Sequence, residues 1–415
     1  MRFSSLKWKS LKEVPKDGKT DGTSLLIKAG FIEKVGAGIY DYLPFGLSIL
    51  NKIAAVIRQE MKNIGAQEIL MPSLHPLSYW QQTKRDKSFN ALFKIKSRFH
   101  NEYVLGPTHE EIVVPLAKRY ISSYKDLPLY LFQIQTKFRD EPRPKAGILR
   151  AKEFLMKDLY SFHSDEKDLD IYYEKVKNSY TKIFNALKLK AVITEASGGT
   201  FSKLSHEFQA PSKNGEDIIF YCEKCGFSRN KEIAKNIKQC PNCHNLLTKI
   251  KSIEVANIFK LKDRYSKPFN LTYKNKNGED DFVMMGCYGI GISRILGTLA
   301  EVYHDDRGFV WPDLVAPYTY HLISLKTKDD KINREINKTS EKIYNFLLQN
   351  KKEVVYDDRD ISTGEKFYDA DLIGAPIRIV VSEKTLKEKS FEIKKRNSNS
   401  FQLIKLEKCD KLLAK

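Results

Sequence analysis

No apolar run in this chain of 415 residues approaches the ~20 residues that a membrane-crossing helix needs. The opening residues, MRFSSLKWKSLKEVPKDGK, hold no apolar signal-peptide core. They start basic, but Arg2 is their only arginine and Glu13 follows soon, which is a poor organellar transit peptide. A cytoplasmic chain with no membrane partner is therefore expected. P-loop chemistry is also missing: the glycine-rich run at 286–301, GCYGIGISRILGTLAE, is not followed by Gly-Lys-Ser/Thr. Cysteine is scarce, at six residues, and four of them form two C-x2-C pairs, Cys222/Cys225 and Cys240/Cys243. Without a secretory signal, such pairs read as metal ligands rather than as a disulfide frame.

The chain is long enough for two or three domains with sizeable cores, and its 41% hydrophobic content is that of an ordinary globular protein. Its 71 basic and 52 acidic residues leave a formal charge of +19. That excess attracts a polyanion; a lysine-rich, AT-biased genome produces the same excess at exposed sites.

Residues 133–163, QIQTKFRDEPRPKAGILRAKEFLMKDLYSFH, organise the rest. QIQTKF alternates polar and apolar, as a half-buried strand does. RDEPRPKAG carries two prolines and a glycine, so the chain turns there. ILRAKEFLMKDLYSF resumes a strand-like pattern, although a helix fits its periodicity as well. An antiparallel hairpin would gather Arg139, Glu141, Arg150 and Phe154. Arginine forks suit phosphate oxygens, a carboxylate accepts from the adenine amine, and a phenyl ring stacks on a base. The bland reading is an exposed charged turn.

The F-R-D-E and R-A-K-E-F segments resemble motif 2 of the class II aminoacyl-tRNA synthetases. Their continuation, F-L-M-K-D-L-Y-S-F-H, resembles the bacterial-type prolyl-tRNA synthetases. The resemblance runs over most of the chain, roughly residues 24–406. It implies an α+β catalytic domain on an antiparallel sheet (1–315), a C-terminal α/β anticodon-binding domain (319–415) and a homodimer. It also implies ATP with Mg2+, and proline and tRNA(Pro) as partners. The helical spacing at 50–61 followed by AQEILMPSL resembles motif 1. GPTHEE resembles the Thr-x-Glu loop, which makes Thr108 and Glu110 proline-binding residues; an N-cap at Thr108, with Glu110 and Glu111 in the first helical turn, is the structural alternative. GGTFSKLSHEFQ offers Glu207 as a Mg2+ ligand and His206 as a weaker candidate for the site. In the 286–301 run, read as motif 3, Gly289 and Gly291 would admit adenosine, Arg294 would reach phosphate, and Cys287 would lie beside the proline ring. Arg139 and Arg294 are the expected catalytic residues. Asp158 completes the expected proline pocket, although its spacing also permits an outward position. Lys394, Lys395 and Arg396 are candidates for RNA contact or, as a charge run, for a solvated face.

The two cysteine knuckles, 14 residues apart, fit a four-thiolate zinc ribbon, with no open coordination position for catalysis. A structural Zn2+ is expected within 216–255. This is also where the chain departs from the bacterial-type pattern. Between Phe208 and Met285 lie only about eighty residues, too few for the large editing domain common in that family. No editing of alanyl-tRNA in cis is therefore expected. Three rivals carry less. A regulatory paralogue usually loses the motif arginines, which are present here. A sister synthetase for threonine or serine is the second, and threonyl enzymes use an open catalytic zinc that the cysteine-only ribbon does not offer. A zinc-ribbon nucleic-acid-binding protein leaves the ordered motifs to chance.

Overall fold

The computed structural model describes residues 1–13, 20–142, 146–199, 201–234 and 237–408. Arg143, Pro144 and Lys145, part of the expected turn, lie outside the described residues. The chain divides into two compact units. One comprises Lys34–Asp41 and Leu50–Thr298; the other comprises Met1–Glu33, Tyr42–Ile49 and Leu299–Lys415.

The first unit is built on a nine-stranded sheet. In chain order its strands are β1 (Gln67–Glu68), β2 (Leu129–Phe138), β3 (Glu153–His163), β4 (Val192–Ser197), β5 (Leu204–Pro211), β6 (Asp217–Tyr221), β7 (Ser228–Asn230), β8 (Thr248–Lys262) and β9 (Met284–Gly291). Their spatial order is β5-β4-β7-β6-β8-β9-β3-β2-β1, with β5 also paired to β8. The central pairs β2–β3, β3–β9 and β9–β8 are antiparallel. The long helix Glu166–Ala186 covers one face. Asp165 caps it by accepting from the Asp168 N–H at 2.8 Å, a contact typically worth ~0.5–2 kcal/mol. Its buried stripe of Leu169, Tyr172, Tyr173, Val176, Tyr180, Ile183 and Phe184 has the spacing of a helix with one apolar side. Phe208 of β5 packs against Tyr180 and Phe184. Because strand side chains alternate, the neighbouring residue Glu207 faces the opposite side, away from the helix.

Three local expectations change. The second strand of the hairpin starts at Glu153, not at Ile148; Gly147–Arg150 is a 3-10 turn, entered through Ala146 at φ +59°. AQEILMPSL pairs with β2 only at Gln67–Glu68, and its last residue, Leu74, pairs instead with Leu105; Leu70 between them is 74% exposed, and the Met71 N–H turns to the Gln133 side chain at 3.0 Å. The alternation in QIQTKF is real but inverted in sense. Gln133 and Lys137, on its polar side, are fully buried, because they pack against polar groups of the site.

The second unit carries a five-stranded sheet in the order Val354–Asp357, Tyr320–Ser324, Ile377–Val381, Ser390–Lys395, Gln402–Lys405. The first three strands are parallel and the last two antiparallel. Helices Asp330–Gln349 and Thr363–Ile373 supply the alternation read from the sequence. Arg396 is not available to RNA. It is buried and forks onto Asp305 at 2.7 and 2.8 Å.

Candidate active site

The β2–β3 hairpin places the first half of the site. Pairing runs in register from Phe138 opposite Glu153 back to Gln133 opposite Asp158. Alternation then sends Phe154, Met156 and Asp158 of β3 to one wall of a cavity of about 310 Å³. Arg139 leaves the end of β2 with its N–H on the Lys152 carbonyl at 2.8 Å. Its guanidinium lies 5.3 Å from the centre of the Phe154 ring and donates to the Pro107 carbonyl at 3.4 Å. Its Nε has no hydrogen-bond partner among the described residues. Burial, and then the charge of Arg294, pull its pKa down. A buried donor left idle beside a second arginine is an arrangement suited to a bound anion.

The other half comes from β9 and the helix that follows it, Ile292–Val302. Arg294 sits in the first turn of that helix. Its Nε donates to the Leu149 carbonyl and its Nη1 to the Glu254 carbonyl, both at 2.8 Å. Arg150, on the 3-10 turn, donates to Glu141 at 3.1 Å and to Glu216 at 3.2 Å. Arg139, Glu141, Arg150, Phe154 and Arg294 all line the one cavity, as do Gly289 and Gly291. A Cβ built on Gly289 would meet no protein atom closer than 3.7 Å, so the space left there is cavity rather than packing room.

Thr108, Asp158 and Cys287 line the same cavity. Glu110 does not; it lies one layer beneath, fully buried. The Thr108 hydroxyl donates to Glu110 Oε2 at 2.6 Å, and the Cys287 thiol donates to Oε1 at 3.0 Å. Burial, followed by the nearby Glu110, raises the Cys287 pKa well above its ordinary value, so the thiol remains a donor. Thr108 makes no side-chain cap. Helix Glu110–Ala117 has His109 at its N-cap, so Thr108 and Glu110 meet across a helix start rather than along a strand.

Asp158 is held by Lys137 at 2.8 Å and by Gln133 at 2.9 Å. Lys137 also donates to His109 Nδ1 at 2.7 Å, and His109 Nε2 contacts the Pro72 carbonyl at 3.0 Å, which assigns the ring proton to Nε2. Burial and then Lys137 lower the His109 pKa, so the ring is neutral.

Glu207 lines the cavity and His206 does not; the His206 ring Nδ1 instead shares a hydrogen bond with the Tyr173 hydroxyl at 2.7 Å. Burial, and then Glu254, push the Glu207 pKa up to about 8. Glu254 and Asn257 also line the cavity, and the Asn257 amide bridges the two carboxylates at 3.4 and 3.1 Å. Two adjacent carboxylates offer hard oxygen ligands of the kind Mg2+ takes. The sequence reading missed Glu254, Asn257, Lys137 and His109. For Lys137, Glu254 and Asn257 the only local signal was a polar residue on a strand, which usually marks solvent, and His109 stands between Thr108 and Glu110 at a helix start.

The four thiols of Cys222, Cys225, Cys240 and Cys243 lie within 4.8 Å of one another. Cys222–Cys243 and Cys225–Cys240 are each 3.4 Å apart. Sulfurs at ~2.3 Å from a tetrahedral zinc fit this spread. In both knuckles a backbone N–H folds back onto the first cysteine's carbonyl, Gly226 to Cys222 and His244 to Cys240, each at 2.9 Å. Among the described residues this is the one group of three or more side chains placed to hold a metal ion.

This fold, with arginines from two segments on one nucleotide-sized cavity, defines a class II aminoacyl-tRNA synthetase. Residues 93–303 match the model of the tRNA synthetase class II core domain (G, H, P, S and T), and residues 321–415 match an anticodon binding domain. More narrowly, the chain belongs to the proline–tRNA ligase family. It is 37% identical over 422 residues to a proline–tRNA ligase of Wolbachia sp. subsp. Drosophila simulans, covering 98% of each chain. It is 32% identical over 561 residues to that of Aquifex aeolicus, again covering 98% of each. Two solved structures share the fold. One is Giardia lamblia prolyl-tRNA synthetase in complex with prolyl-adenylate, with TM-score 0.78, 20% identity, and 93% of this chain and 75% of that one covered. The other is Cryptosporidium parvum prolyl-tRNA synthetase with L-proline and AMP, with TM-score 0.77, 19% identity, and coverage of 94% and 74%.

Proposed function

We propose that this cavity activates proline with ATP and passes the prolyl group to the terminal ribose of tRNA(Pro). The observation that carries this reading is the convergence of Arg139 and Arg294 on a cavity floored by Thr108 and Cys287, with the carboxylate of Glu110 buried beneath them.

In the first step a proline carboxylate oxygen attacks the α-phosphorus of ATP, forming prolyl-adenylate and releasing pyrophosphate. No covalent enzyme intermediate is required, and catalysis rests on alignment and charge stabilisation. Arg139 bridges the carboxylate and the α-phosphate while negative charge grows between them. Arg150 and Arg294 hold the departing phosphates, and Glu141 and Phe154 fix the adenine. The Thr108 hydroxyl donates its hydrogen bond to Glu110, which leaves an oxygen lone pair to accept from the substrate amine. Asp158 and Cys287 shape the ring pocket. Glu207, with Glu254, would hold Mg2+, which neutralises phosphate charge when bound. In the second step a terminal ribose hydroxyl of the tRNA attacks the mixed anhydride, and AMP leaves.

On this reading, residues 1–315 carry catalysis, 216–255 form a zinc-ribbon insertion, and 319–415 read the anticodon in a cytoplasmic homodimer. The zinc is structural, because four cysteines leave no coordination position open. Editing in cis is absent. Supporting this, the Aquifex alignment spans 561 positions against a chain of 415, so that relative carries segments with no counterpart here. Alanine is smaller than proline, and rejecting it by binding alone gains only about 1–3 kcal/mol.

Pyrophosphate exchange with each of the twenty amino acids tests the proposal. Proline should dominate, alanine should be activated weakly, and alanyl-tRNA(Pro) should persist in the presence of the enzyme. Exchange led by any other amino acid would overturn the substrate assignment, and rapid alanyl-tRNA hydrolysis would overturn the editing assignment.

A further inference from the structure

Arg85 stands behind the cavity and is not itself part of its lining. Its side chain is only 4% exposed. Its Nη1 donates to Glu110 at 3.2 Å and to both oxygens of Glu111 at 3.0 Å. Nε and Nη2 have no hydrogen-bond partner among the described residues. In their place the guanidinium meets four aromatic rings: Phe201 at 4.7 Å, Trp80 at 5.1 Å, Phe89 at 5.2 Å and Tyr265 at 5.5 Å from its carbon. Burying a cation with two idle donors is costly, and this box of rings with two carboxylates is what offsets it. Glu111 is itself buried and held in place by the Thr83 hydroxyl at 2.9 Å.

Lys137 cancels Asp158 in a buried pair at 2.8 Å. Within the triad of Arg85, Glu110 and Glu111, one guanidinium faces two carboxylates, one more than it can neutralise. That surplus lies on the Glu110 side, where Thr108 and Cys287 lead to the cavity. It equals the single positive charge on the amine of a free amino acid.

We infer that Arg85 and Glu111 form a positioning pair, which holds Glu110 in place and leaves one uncancelled negative charge beneath Thr108 for the substrate amine. Glu111 neutralises the arginine, and the arginine fixes the orientation of Glu110. Phe201 lines the cavity while stacking on Arg85, so the same guanidinium also braces part of the wall. This inference rests on the proline-activating reading of the cavity.

The test compares proline with cyclopentanecarboxylate, which keeps the ring and carboxylate but has no N–H. Proline-dependent pyrophosphate exchange and its inhibition by the carbocycle are measured for wild type, Arg85→Met, Arg85→Lys and Glu111→Gln. A misplaced contact of this kind costs up to about 100-fold. For Arg85→Met, kcat/KM for proline should fall at least about tenfold, with inhibition by the carbocycle and the KM for ATP within about twofold of wild type. Arg85→Lys should recover part of the loss. Glu111→Gln, which leaves the arginine packed in its rings, should raise the proline KM without changing the carbocycle; it serves as the deciding variant if Arg85→Met does not fold. Equal losses for proline and the carbocycle, or none, would show that the pair serves packing only and would overturn the inference. A wild-type enzyme with no proline-dependent exchange would instead overturn the reading of the cavity.

Discussion

Arg294 Nε donates to the Leu149 carbonyl at 2.8 Å, tying the helix after β9 to the turn that carries Arg150. Through this bond and the Glu254 carbonyl, the guanidinium is oriented before any ligand arrives. Arg139 approaches from the end of β2, and its electrostatic coupling to Arg294 marks the meeting point of the two segments. An anion placed between them would relieve the repulsion, so on the proposed reading binding and catalysis draw on the same pair.

Arg139→Ala removes the donor proposed to meet the reacting phosphate. Loss of one preorganised charge-stabilising contact costs roughly 2.7–4 kcal/mol of barrier, or ~100- to 1,000-fold in kcat. Proline-dependent exchange should fall by that much, while circular dichroism and the melting temperature stay near wild type. Exchange within about tenfold of wild type would remove Arg139 from the proposed role.

Two glycines of β9 should respond oppositely to substitution. At Gly289 an added Cβ meets nothing nearer than 3.7 Å, so Gly289→Val should leave the fold stable and raise the KM for ATP or proline by filling the cavity. At Gly286 a Cβ would lie 2.1 Å from the Tyr288 hydroxyl and 2.8 Å from Ser161 Oγ. Gly286→Ala should therefore lower the melting temperature, overpacking typically costing about 1–3 kcal/mol. Thermal melts paired with exchange kinetics separate the two cases.

Lys157 links stability to pH. It is fully buried, donates to the Tyr288 carbonyl at 3.1 Å and to the Tyr180 hydroxyl, and burial brings its pKa down to about 7. An unfolded lysine titrates near its ordinary value of 10.5. Between these values the unfolded chain holds a proton that the folded chain does not, so stability rises as pH increases from 7 toward 10.5; below 7 the whole penalty is present. Lys157→Met should flatten that rise by up to about 1.4 kcal/mol per pH unit. Urea denaturation at a series of pH values would show it, and parallel slopes in the two proteins would contradict it.

Zinc removal should act on stability before chemistry. Cys240 is fully buried and has a thiol partner at 3.4 Å, so Cys240→Ser should abolish metal binding and lower the melting temperature. Elemental analysis should find one zinc per wild-type chain and none in the variant. A metal-free wild type with an unchanged melting temperature would show that the ribbon closes without an ion.

Much of the cavity's lining was legible along the chain because the expected chemistry calls for residue types that few other roles require. Arg139, Glu141, Arg150 and Phe154 bracket one turn, so a hairpin suffices to gather them. The cysteine knuckles needed only their spacing, since a two-residue gap already brings two thiols to one side of a turn. His206 and Glu207 show the limit. As neighbours on a strand they must face opposite ways, and only packing of the Glu166–Ala186 helix decides which one sees the cavity. Arg396 shows the same limit for charge: a basic run looks solvated until Asp305, remote in sequence, claims its last member.

From the amino-acid order alone came the class of chemistry, the turns and the metal knuckles, since these rest on local geometry and on side-chain types that the reaction cannot replace. Only the three-dimensional arrangement decided that Gln133 and Lys137 point inward, that Glu110 lies beneath Thr108 rather than on the wall, and that Arg85 sits among four rings. Burial of a polar group is settled by the partners it finds, and those partners come from segments whose meeting no local pattern records.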